Sequence, residues 1–191
     1  MPDATLDKSM TFRIASLFAL LVSLLTACGG PTVRPDGGKG LLPVGALAPE
    51  VVGQAADGSQ VALSASRGHA AVVYFYPKDA TPGCTKEACA FRDAFKRYEA
   101  QQVTIFGVSR DSDEIHQEFR ARHALPFPLV SDLDGSLAQA YGVPSPLGMS
   151  SRVSFLVGPD GRIARVWPDV DPGVHAREVL AAAEVSINGA K

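Results

Sequence analysis

Ala70-Ala-Val-Val-Tyr-Phe-Tyr76 is an unbroken apolar and aromatic run. A run without polar alternation is what a strand covered on both faces requires. Val103-Thr-Ile-Phe-Gly-Val108 repeats the pattern. Between the two, from Pro82 to about Gln101, Ala88, Phe91, Phe95 and Tyr98 recur at three- and four-residue spacings, which predicts an amphipathic helix. Strand, helix and strand in that order dictate a parallel pair joined by a right-handed crossover.

Working outward, Asp57-Gly58 ahead of Val61-Ala-Leu63 predicts a turn feeding a strand. Downstream, Asp111 with Glu114 three residues later predicts a helix start with a capping-box variant. Ile115 and Phe119 should then face the core, and the helix should end before Leu125-Pro126. Leu129-Val130 reads as a short strand and Leu137-Ala-Gln-Ala-Tyr141 as a short helix stopped by Gly142. Arg152-Val-Ser-Phe-Leu-Val157, the turn Pro159-Asp-Gly161 and Arg162-Ile-Ala-Arg-Val166 predict an antiparallel hairpin. Asp171-Pro172 should open a last helix running through Val179, Leu180 and Ala183. The sum is an α/β fold, a central mixed sheet flanked by helices, of the thioredoxin-like kind. Such a core hosts many activities, so function must come from the site.

The chain has 191 residues, 46% of them hydrophobic, with a formal net charge of -2. That supports one well-filled core and offers no basic excess for a phosphate backbone, so a small or neutral substrate is expected and no nucleic acid. Lys8 and Arg13 precede the apolar run Ile14–Ala27, which reads as an export signal over residues 1–27 and is short for a span of roughly 20 residues. It ends in Leu25-Thr-Ala-Cys28, which resembles a bacterial lipoprotein box. The resemblance implies lipidation of Cys28 and a chain tethered to a membrane surface on the periplasmic side of the cell envelope. Gly29 after the cysteine favours the outer membrane. An ordinary anchor or a buried helix is the alternative, and without processing the chain would be cytoplasmic. Residues 28–43, rich in Gly and Pro, read as a flexible linker, and residues 44–191 as the domain.

With Cys28 set aside, two of the three cysteines remain, Cys84 and Cys89. Their spacing does not suit zinc, and no metal or cofactor is expected. Pro77-Lys-Asp-Ala-Thr-Pro-Gly-Cys84 lies where a central strand ends and a helix begins, the usual place for a site in a parallel sheet. Pro82 suits a first helical turn, which puts Cys84 among unpaired backbone N–H groups at the positive end of the dipole, where a thiolate is favoured. A thiolate attacking the O–O bond of a peroxide becomes a sulfenic acid. In one regular helix Cys89 would sit about 7.5 Å further along and about 140° round. The Cα atoms would be roughly 8–9 Å apart, whereas a disulfide needs about 4.4–6.8 Å. A bridge therefore requires the helix to unwind, which suits a reversible pair better than a fixed structural disulfide. A thiol–disulfide oxidoreductase, which favours a Cys-x2-Cys spacing, and a non-enzymatic lipoprotein module with an incidental disulfide are the other readings.

Pro77-x3-Thr81-x2-Cys84 resembles the peroxiredoxin active-site motif. The longer string Tyr74-Phe-Tyr-Pro-Lys-Asp-Ala-Thr-Pro-Gly-Cys-Thr-Lys-Glu-Ala-Cys89 is similar to the bacterioferritin-comigratory, or PrxQ-type, branch. The likeness runs from Gly45-Ala-Leu-Ala-Pro49 through Gly107–Asp111 and Leu125–Asp132 to Arg152-Val-Ser-Phe155. It implies an atypical two-cysteine peroxidase of hydrogen peroxide and organic hydroperoxides. Cys84 would be peroxidatic and Cys89 resolving, with a thioredoxin-like dithiol as reductant. Thr81 would bind the peroxide, Pro77 shield the sulfur, and Arg152 hold the thiolate and polarise the leaving oxygen. A monomer, or at most a weak dimer, is expected. His116 and His123 read as surface or packing residues, Arg92 and Arg110 as helix-end or surface charges, and Trp167 as packing at the end of the hairpin. Tyr74 and Tyr76 are expected on alternate faces of their strand, with Tyr76 lining the site.

Overall fold

The computed structural model describes residues 32–55 and 58–188; the expected export signal and Cys28 lie outside the described residues. The elements in order are β1 (Val52–Gln54), β2 (Gln60–Ala62), β3 (Ala71–Phe75), α1 (Pro82–Ala100), β4 (Thr104–Ser109), α2 (Asp113–His123), β5 (Leu129–Ser131), α3 (Ser136–Tyr141), β6 (Val153–Val157), β7 (Ile163–Trp167) and α4 (His175–Asn188). They form one seven-stranded sheet in the order β2-β1-β5-β4-β3-β6-β7. β3, β4 and β5 are parallel, while β1, β6 and β7 run antiparallel to their neighbours, so the sheet is mixed.

β3 lies between β4 and β6, and every residue of it is buried. Alternation along the strand divides the core. Val72 and Tyr74 join Ala88, Phe91 and Tyr98 of α1 and Val179, Leu180 and Ala183 of α4 on one face. Ala71, Val73 and Phe75 join Phe155, Ala138 and Tyr141 on the other. Phe91 is fully enclosed between Tyr74 and Phe127, and burying a ring of that size contributes about 1.5–3 kcal/mol. Tyr74 and Tyr76 stack on the same face with centroids 5.4 Å apart, a correction to their expected separation. Residues two apart share a face in any strand.

Four boundaries also differ from expectation. Residues 32–43, expected as a flexible linker, pack on the domain: Leu42 is buried and its N–H donates to the Tyr141 carbonyl at 2.9 Å. Gly142 ends α3 at φ +70°, and a Cβ there would meet the Gly40 carbonyl at 1.9 Å, so this segment and the helix cap depend on glycine together. α2 starts at Asp113 with Ser112 at its cap, not Asp111, and Ile115 is 44% exposed while its neighbour His116 turns inward. Leu63 opens a short 3-10 turn instead of extending β2, and β1, which pairs with β2, was not anticipated. α4 begins at His175, after a turn in which the Asp171 carbonyl accepts from the N–H groups of Val174 and His175.

Candidate active site

α1 starts where β3 delivers the chain, and Pro82 occupies its first position with Thr81 at the cap. Cys84 thus falls in the first turn, and it is 2% exposed. Arg152, immediately before β6, reaches across from the strand next to β3 and donates Nη2 to the Cys84 sulfur at 3.1 Å. A guanidinium donating to sulfur stabilises negative charge there. Gly83 leaves the room for it, since a Cβ at 83 would stand 3.3 Å from Nη2.

The other arm of the same guanidinium, Nη1, binds the Glu87 carboxylate one turn further along α1. Glu87 is completely buried, and its Oε1 has no hydrogen-bond partner. Burial pushes its pKa up to about 7, against the opposing pull of Arg152. For Arg152, burial works against the charge, but Glu87 and Cys84 outweigh it and hold the group above its ordinary value. Glu87 was missed in the sequence, although it shares the buried stripe of α1 with Cys84, Ala88 and Phe91. His175 backs the same corner, its Nε2 within 2.8 Å of the Ser154 hydroxyl. Burial, helped by the Arg152 charge, lowers its pKa to about 4, so it is neutral near pH 7.

The loop from Pro77 to Thr81 is fixed from beneath. Asp79 is buried, accepting from the Tyr76 hydroxyl at 2.7 Å on Oδ1 and lying 2.7 Å from His116 Nδ1 through Oδ2. Its own N–H donates to Asp111 Oδ2 at 2.8 Å, and the Ser109 hydroxyl donates to the same oxygen at 2.7 Å. Asp111, expected to cap α2, therefore ties the loop to the end of β4 instead. His116 is 2% exposed, a packing residue with a specific acidic partner, not a surface one. Ala80 adopts φ +58°, which turns the chain sharply before Thr81. The Thr81 hydroxyl donates to the Lys78 carbonyl at 2.9 Å, leaving its oxygen free to accept from a bound O–H. Pro77 and Thr81 are both half-buried, in the loop that leads from β3 to Cys84.

Cys89 lies further along α1, half-buried. Both cysteines are free thiols, and the helix is continuous from Pro82 to Ala100. His123 Nδ1 stands 3.9 Å from the Cys89 sulfur, and Arg92 lies against the same sulfur. Arg92 also pairs with Asp93 and donates to the His123 carbonyl, while Arg110 donates to the Leu133 carbonyl. Trp167 is buried, with Arg165 stacked over its ring. No described helix is long and apolar enough to cross a membrane.

The family model described as AhpC/TSA matches residues 44–166. The chain is 39% identical over 144 residues to the putative peroxiredoxin bcp of Coxiella burnetii, covering 72% of this chain and 95% of that protein. Against the peroxiredoxin Bcp of Bacillus subtilis it is 39% identical over 145 residues, covering 72% and 92%. Among solved structures, the bacterioferritin comigratory protein of Xanthomonas campestris, studied for alkyl peroxide reduction, superposes with a TM-score of 0.65 at 37% identity, over 72% of this chain and 92% of that one.

Proposed function

The chain belongs to the AhpC/TSA family and is a thiol-dependent peroxidase of the Bcp/PrxQ kind, and from that premise we propose how its own residues divide the work. Cys84 is the peroxidatic thiol. Its thiolate attacks one peroxide oxygen, the O–O bond breaks, and the departing oxygen leaves as water or an alcohol once protonated. Thr81 accepts a hydrogen bond from the peroxide, Pro77 keeps bulk water from the sulfur, and Arg152 stabilises charge first on sulfur and then on the departing oxygen. The single observation that carries this reading is Arg152 donating to Cys84 at 3.1 Å in the first turn of α1.

Cys89 then attacks the sulfenic acid, forming the Cys84–Cys89 disulfide and releasing water. The continuous helix supports a condition on that step: the first turn of α1 opens and carries Cys84 to Cys89. A thioredoxin-like dithiol reduces the bridge. The substrates are hydrogen peroxide and organic hydroperoxides, and the protein works as a monomer or at most a weak dimer. The Leu25–Cys28 box supports lipidation of Cys28 and attachment on the periplasmic side, with the outer membrane favoured by Gly29. The reductant would then be an envelope dithiol. Stopped-flow oxidation of the reduced protein by hydrogen peroxide tests the assignment: Cys84→Ser should eliminate the fast phase, and a fast phase that survives would sink it.

A further inference from the structure

Peroxide reduction at Cys84 makes no use of His123, yet this side chain is held against the second thiol. It is the last residue of α2, and its Nδ1 lies 3.9 Å from the Cys89 sulfur. The placement is fixed from both helices. Arg92, one turn beyond Cys89 on α1, donates Nη1 to the His123 carbonyl at 2.9 Å. Phe119, one turn earlier on α2, meets the imidazole edge-on with centroids 4.9 Å apart. Ala124 follows at φ +49° and closes the helix at this point. His123 and Cys89 are both half-buried, so a proton received by the ring can pass on to solvent.

We propose that His123 is the base of the resolving step, taking the proton of the Cys89 thiol as its sulfur attacks the Cys84 sulfenic acid. With the ring proton on Nε2, Nδ1 presents a lone pair to the thiol. The Cys89 S–H bond breaks, the new S–S bond forms and the Cys84 S–O bond breaks. The hydroxide released takes up a proton to give water, and the imidazolium returns its own proton to solvent. The sulfenic sulfur is reduced and the Cys89 sulfur oxidised, so no further reductant is needed. Because only the first turn of α1 has to open, Cys84 travels while Cys89 stays on the length of helix clasped by Arg92 and His123. Arg92, whose side chain lies against the Cys89 sulfur, is itself paired with the Asp93 carboxylate at 2.8 Å.

The inference rests on Cys89 being the resolving thiol, and the experiment separates the two claims. The full chain and its His123→Gln variant are oxidised with one equivalent of hydrogen peroxide from about pH 5.5 to 9, following sulfenic acid formation and then disulfide closure. The ratio of second to first rate constants should fall about tenfold near pH 7, with the second phase in the variant rising only as the free thiol ionises. An unchanged ratio and pH profile, in a protein whose peptide map does contain the Cys84–Cys89 bridge, overturns the role of His123 alone. A wild-type map without that bridge removes the resolving role of Cys89, and this inference with it. In a Cys84→Ser background, monobromobimane labelling of Cys89 should slow about tenfold with His123→Gln, and equal rates would contradict the proposal.

Discussion

The two thiols of α1 lie five positions apart and live in opposite surroundings. Cys84 is enclosed at the start of the helix, with Arg152 on its sulfur and a buried carboxylate, Glu87, on the far side of that guanidinium. Cys89 is half-exposed on another face, with an imidazole and a guanidinium that solvent can also reach. One helix thus separates an enclosed sulfur that accepts from a guanidinium from a sulfur that solvent can reach. The difference teaches why the spacing is five and not two. The pair cannot close while the helix is whole, and in the proposed sequence peroxide therefore meets Cys84 alone before the first turn opens for closure.

The largest effect expected of the enclosed side is loss of the nucleophile. Cys84→Ser should lower the second-order rate with hydrogen peroxide by about a thousandfold or more, measured by stopped flow. Next is Arg152→Met, which removes the guanidinium that donates to the Cys84 sulfur and should cost about a hundredfold in the same rate. If Arg152→Met proved neutral, the contrast between the two thiols would lose its electrostatic basis.

Breaking the support beneath the peroxide loop should cost less. Asp79→Asn weakens the bonds to Tyr76 and His116, and should slow Cys84 oxidation about tenfold while lowering stability by about 1–3 kcal/mol in urea unfolding.

The same buried corner predicts a pH signature in stability, with two groups of opposite sign. His175 has its folded pKa lowered to about 4, so its contribution is present above the ordinary histidine value of 6.5 and is lost as pH falls through 4. Glu87 is raised to about 7 from 4.5, so its contribution is present below 4.5 and is lost as pH rises through 7. His175→Asn should flatten the acid limb of the unfolding free energy, on the order of 3 kcal/mol at most, and Glu87→Gln the limb between pH 5 and 8 by a comparable amount. Limbs of wild-type slope in either variant would break that assignment.

Much of this is legible in the sequence alone. The apolar run Ala70–Tyr76 and the three-four spacing of Ala88, Phe91, Phe95 and Tyr98 report burial directly, because local periodicity and burial are the same fact in a strand or helix. The hairpin around Pro159–Gly161 and the stop at Gly142 follow from turn chemistry. Cys84, Thr81 and Pro77 were legible as one string because a single loop carries them. Arg152 stood out mainly through family likeness, its place at the head of a core strand being the weaker physical signal, as its meeting with Cys84 depends on β6 lying beside β3. What stayed hidden depends on partners distant in the chain. His116 turns inward in place of Ile115 because Asp79, 37 residues earlier, waits for it. Asp111 leaves the helix cap to bind the Asp79 N–H, Glu87 is buried because Arg152 answers it, and residues 32–43 dock because Gly142 admits the Gly40 carbonyl. Long-range polar pairing leaves no periodic trace in the sequence.

The most direct test of the division between the two thiols is peptide mapping by mass spectrometry after one equivalent of hydrogen peroxide, with the sulfenic acid trapped by dimedone. The wild-type protein should yield a Cys84–Cys89 disulfide, and Cys89→Ser should yield the dimedone adduct on Cys84 alone. An adduct on Cys89 in the Cys84→Ser variant at a comparable rate, or a wild-type protein with no such bridge, would contradict the account.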